Sequence, residues 1–158
     1  MKLVTVFGAS GRMGQAQVRQ LILAGYKVRA ITRKKGVFID DNVTEVSADY
    51  NDPESIDNAM EGADAAFYNK PSFEQVTKMI DFCAAVGAAA ARADIRLIYQ
   101  TAAYAPDNEI GQYNYDRVLA TERALKQGGA RTTIFRPVLF MDNTCLLYTS
   151  DAADEERG

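Results

Sequence analysis

The sequence has no histidine and only two cysteines, Cys83 and Cys145. Neither a disulfide framework nor a histidine-based metal site is suggested by that composition. Cys83 falls inside an apolar helical stripe, the position of a small core residue. No apolar run is long enough to cross a bilayer, and no basic, apolar, small-residue leader precedes the first strand. The expected compartment is therefore the cytoplasm, with no membrane partner. No internal repeat or linker divides the chain. The net charge of −3 is no clue to partners, since the last fourteen residues carry four acids and one base and the remainder is neutral. Direct contact with nucleic acid is not expected. With 158 residues, 47 % apolar and 25 % charged, the chain can build one domain with a real core but not two.

What is present is concentrated at the start. Leu3, Val4, Val6 and Phe7 form a β-branched and aromatic run too short for a helix, which predicts a buried parallel strand. Gly8-Ala-Ser10-Gly11-Arg12-Met13-Gly14 follows, and then Gly14, Val18, Leu21, Ile22 and Gly25 mark one helix face. A strand feeding a helix through a glycine turn suits a dinucleotide phosphate site. The pyrophosphate needs bare backbone N–H groups and the positive end of the helix dipole. A side chain at Gly8 or Gly11 would hold it off, and Gly14 lets the helix lie close on the sheet. The same turn without a ligand is the structural alternative.

Further strands are expected at 26–31, 43–48, 64–68, 95–99 and 132–135. Helices are expected from Pro53 to Met60, along the stripe Phe73, Val76, Ile80, Cys83 and Gly87, and from Gln112 to Gly128. Asp52 before Pro53 is a helix N-cap, and Ser72 with Gln75 makes a capping box, so Ser72 reads as a cap. Ala88 to Ala93 reads as helix continuation or connecting loop. Alternation of strands and helices implies an α/β fold, a doubly wound parallel sheet in the order 3-2-1-4-5-6 with a cofactor across its carboxyl edge.

At the end of the second strand an acid would accept hydrogen bonds from a ribose 2′-OH, but none occurs between Gly25 and Ile39. Arg33 stands there instead, with Lys34, Lys35 and Arg12 nearby, a cluster suited to a 2′-phosphate. NADP(H) is accordingly favoured over NAD(H), and a solvated basic turn is the alternative. Asn69 and Lys70 follow the fourth strand, on the edge where a nicotinamide ribose would lie.

The G-x-x-G-x-x-G spacing of Gly8, Gly11 and Gly14 resembles the extended and atypical short-chain dehydrogenases. The run Thr133-Ile-Phe-Arg136-Pro137-Val-Leu-Phe140-Met141-Asp-Asn143 resembles the NmrA-like branch, and the likeness spans nearly all of residues 2–143. It implies a role for Asp49 against the adenine amino group, although a turn role suits that residue equally. It also implies a catalytic set of Thr101 after the fifth strand with Tyr113 and Arg117 four residues apart, Arg117 replacing the usual lysine. Arginine can stabilise phenolate charge and bind ribose but cannot shuttle a proton. A register set by Glu122 would instead put Val118 at that position, and Tyr113 could be an ordinary helix-start residue. The expected function is an NADPH-dependent reductase of a small carbonyl or quinone-type substrate. The alternative is a dinucleotide-sensing regulator that binds a protein partner, with oligomeric state open. Residues 145–155 resemble translated sequencing adapter. This implies a native Rossmann part at 1–144, cut before the elements that wall the substrate pocket, and a non-native tail at 145–158.

Overall fold

The computed structural model describes residues 2–70, 76–101 and 105–137. β1 (Leu3–Phe7) lies inside a six-stranded parallel sheet, with β2 (Lys27–Ile31) and β3 (Val43–Val46) on one side. β4 (Ala65–Tyr68), β5 (Arg96–Gln100) and β6 (Arg131–Phe135) lie on the other. The order is β3-β2-β1-β4-β5-β6, as the alternation of elements predicts, and the fold is α/β. The order in which strands are added reverses between β1 and β4, so the crevice of a doubly wound sheet opens there.

Strand alternation divides the core into two layers. Val6, Val28, Ala30 and Phe67 face α1 (Arg12–Leu23) and meet Val18, Leu21 and Ile22 of its predicted stripe. Phe7, Ile31, Ala66, Tyr68, Leu97 and Tyr99 face the opposite layer. There α2 (Pro53–Met60), α3 (Val76–Arg92) and α4 (Tyr113–Gln127) pack. Residues buried on both sheet faces explain why β1 reads as a continuous apolar run.

Element ends differ from expectation by one or two residues. Tyr26 does not begin β2. Its N–H closes back on the Leu21 carbonyl while that of Gly25 bonds Ile22, the paired bonds of a Schellman ending. β3 stops at Val46. Asp64 precedes β4 and brackets the start of β1: its N–H donates to the Leu3 carbonyl and its carboxylate accepts from the Leu3 N–H, both at 2.8 Å. The alanine run is helix, with Ala89 and Ala90 fully buried before α3 ends at Arg92. Asp52 caps α2 through the Glu54 N–H at 3.1 Å. Phe73, the Ser72 and Gln75 capping box, the motif from Phe140 onward and the tail at 145–158 lie outside the described residues.

Candidate dinucleotide site

The glycine turn is shaped by what surrounds it. Gly8 has φ +66°, and a Cβ there would stand 2.9 Å from the Asn69 carbonyl oxygen. A Cβ on Gly14 would run into the backbone of Gly8 and Ala9, so α1 can seat on the turn only with glycine at that position. The Gly11 N–H bonds the Gly8 carbonyl at 3.0 Å and the Ala9 N–H bonds Ile31 at 3.1 Å, which ties the turn to the end of β2. Gly11 is the N-cap of α1 and offers no capping side chain, and the first turn holds no acid. Ser10 contributes its carbonyl, which accepts from the Gln15 side chain at 2.9 Å. The opening N–H groups at Arg12 and Met13 are therefore left for an anion.

A crevice of about 860 Å3 runs along this edge. It touches Gly8, Ser10, Gly11, Arg12, Met13 and Gly14, passes Arg33 and Asp49, and reaches Asn69 and Lys70. All ten residues expected to hold a cofactor thus border one space. Tyr50 and Phe82 also line it, stacked at 5.1 Å with their planes 25° apart. Burial pushes the Tyr50 phenol well above its ordinary range, with nearby Arg33 opposing the rise. Asp49 does serve a turn: its Oδ1 accepts from both the N–H and the side-chain amide of Asn51 at 2.9 Å. The backbone bond to Asn51, then the side-chain one, lowers its pKa.

A network that no local pattern announces meets the crevice at Asn69. The Gln17 and Asn69 carboxamides exchange hydrogen bonds at 3.2 and 2.7 Å. Asn69 also donates to the Phe7 carbonyl at 3.0 Å, and Gln17 reaches Gln100 at 3.5 Å. The ends of β1, β4 and β5 are thereby joined to α1. Lys70 lays its ammonium against the Met79 sulfur at 3.3 Å. Burial lowers its pKa, with the Arg117 charge adding to the effect.

Of the expected catalytic set, Tyr113 and Arg117 come together, the guanidinium lying 5.6 Å from the ring centroid. The ring is 65 % exposed. Val118, the position that the alternative register would use, is buried in the core. Thr101 donates its N–H to the Phe135 carbonyl, and its hydroxyl is buried. Among the described residues only two buried side-chain polar atoms lack a hydrogen bond of good geometry, Thr101 Oγ1 and Arg117 Nε. Glu122 is buried beneath this helix face and forms a two-point pair with Arg136. Among the described residues, no cluster of acids and cysteine could hold a metal ion and no helix is long and apolar enough to cross a membrane.

Strand order, glycine turn and edge crevice define a Rossmann domain. The chain belongs to the NmrA-like family, whose model matches residues 1–158. No curated protein matches it. Among solved structures, triphenylmethane reductase of Citrobacter sp., complexed with NADP(H), is 26 % identical with a TM-score of 0.76, over 89 % of this chain and 51 % of that one. The Bordetella bronchiseptica enzyme WbmH, in complex with NAD+, shares the fold at 20 % identity and a TM-score of 0.71, over 87 % of this chain and 56 % of that one. Vestitone reductase from alfalfa does so at 20 % and 0.68, over 86 % and 56 %. The chain thus spans about half the length of these relatives.

Proposed function

We propose that the chain holds NADP(H) along the carboxyl edge of the sheet and that the protein it represents reduces a small carbonyl or quinone-type substrate. The observation that carries this reading is the continuity of one crevice from the uncapped N-terminus of α1, past Arg33, to Asn69 and Lys70. The opening N–H groups of α1 bind the pyrophosphate, and Arg33, in a stretch with no acid between Gly25 and Ile39, takes the 2′-phosphate. Asp49 and the Tyr50–Phe82 stack border the adenine end. Asn69 and Lys70 border the nicotinamide end. The bound cofactor would supply a hydride. Thr101 polarises a substrate oxygen, Tyr113 donates a proton to it, and Arg117 holds the phenol's charge and the ribose. Among the described residues, Thr101 and Arg117 each keep one buried side-chain polar atom without a hydrogen bond of good geometry, and neither residue borders the crevice itself.

One observation favours a second reading, a dinucleotide sensor that meets a protein partner. The cation beside Tyr113 is an arginine, which stays protonated and relays no proton. Two measurements separate the readings. Arg33→Asp should weaken NADPH binding at least tenfold, or about 1.4 kcal/mol, and leave NADH nearly unchanged; equal losses for both would remove Arg33 from the site. In a protein with the length of its relatives, Tyr113→Phe should lower kcat with quinone or aldehyde acceptors about a hundredfold. Intact NADPH binding with no turnover on any acceptor would select the sensor.

A further inference from the structure

The turn that carries Arg33 is fastened at both ends. At its start, Thr32 donates its N–H to the Val46 carbonyl at 3.0 Å, and its hydroxyl bridges the backbone of Lys34 at 3.1 Å. At its far end, three successive backbone N–H groups converge on one carboxylate. Gly36 donates to Glu45 Oε2 at 2.6 Å, while Val37 and Phe38 donate to Oε1 at 2.7 and 2.8 Å. Gly36 has φ +73°, the left-handed conformation that turns these groups the same way. Phe38 then packs into the layer beneath α1. Glu45 sits on β3, opposite Ala30 of β2, and does not itself line the crevice, whereas Arg33 does.

A flexible arginine loses much of its binding free energy to ordering, and a fixed backbone removes part of that loss. We propose that Glu45 is a positioning residue that sets cofactor preference: by clamping residues 36–38 it holds the Arg33–Lys35 turn ready for a 2′-phosphate. The inference rests on the NADP(H) reading above and adds the residue that sustains it.

The sign of one substitution tests it. If Glu45 acted only as a negative charge near a phosphate, Glu45→Gln would tighten NADPH binding. Loss of the clamp instead weakens it. Dissociation constants for NADPH and NADH would be measured on wild type, E45Q, E45D, R33S and R33S/E45Q, with folding checked by circular dichroism. Expected are a roughly tenfold loss of NADPH affinity in E45Q, a smaller loss in E45D, whose carboxylate is one methylene short, and unchanged NADH. In the R33S background, E45Q should change NADPH binding by less than about twofold, because Glu45 acts through Arg33. Tighter or unchanged NADPH binding in E45Q, equal losses for both cofactors, or an undiminished effect in R33S would overturn the role of Glu45. An R33S protein that keeps its NADPH preference would overturn the underlying reading, and this inference with it.

Discussion

Gln17 shows what a single side chain can do across a sheet. Its partners Asn69 and Gln100 lie 52 and 83 residues away in sequence, and no spacing rule joins them. The glycine turn was legible because its chemistry is local: three glycines at fixed intervals are themselves the device. The amide network and the Glu45 clamp depend on which strands the fold sets side by side, so they became visible only with the sheet order. Gln17→Leu should leave the buried Asn69 oxygen without a donor and cost about 1–3 kcal/mol in urea unfolding. An unchanged midpoint would mean that water replaces the bond. Glu45 adds a pH signature. Its carboxylate is held below the ordinary value of 4.5, chiefly by the N–H groups of Phe38 and Gly36. A depressed carboxylate pKa contributes stability that is present above the unfolded value and lost as pH falls through the folded one. The amide proton shifts of Gly36, Val37 and Phe38 should therefore titrate together with a midpoint below 4.5. A midpoint at or above it would break the assignment.

Among elements, α4 carries both the clearest and the least clear parts of the sequence. Its limits were readable from Gln112 at one end and the glycine pair at the other. The register of its polar residues was not, because Arg117 and Val118 are adjacent and each fits one family spacing. In the fold, Val118 turns to the core, while Arg117 lies over Tyr113. Glu122, on which the other register rests, forms a structural pair with Arg136 just beyond β6. That pair is asymmetric, with the Glu122 side chain 3 % exposed and that of Arg136 44 %. Arg136→Met would strand a buried carboxylate and should cost about 3–5 kcal/mol. Glu122→Gln leaves a guanidinium that water can reach and should cost less. Chemical denaturation of both variants checks the order, and a larger loss in Glu122→Gln would contradict this burial argument.

For the whole molecule, the question is whether half the length of its relatives still forms a complete cofactor site. Among the described residues, those bordering the crevice lie between Gly8 and Phe82, in little more than the first half of the chain. A ligand at a hundred times its dissociation constant stabilises the folded state by about 2.7 kcal/mol when the unfolded chain does not bind it. In a chain of 158 residues, where each kcal/mol moves Tm by about 2–4 °C, NADPH at that excess should raise Tm by about 5–10 °C. The comparison that matters is with a chain ending at residue 144. If residues 145–158 are the non-native tail that their adapter-like sequence implies, deleting them should leave the NADPH-induced shift unchanged and alter the ligand-free Tm little. A shift that shrinks by half or more on deletion would mean that the last fourteen residues help to hold the cofactor. It would also overturn the expectation that they are foreign to the fold.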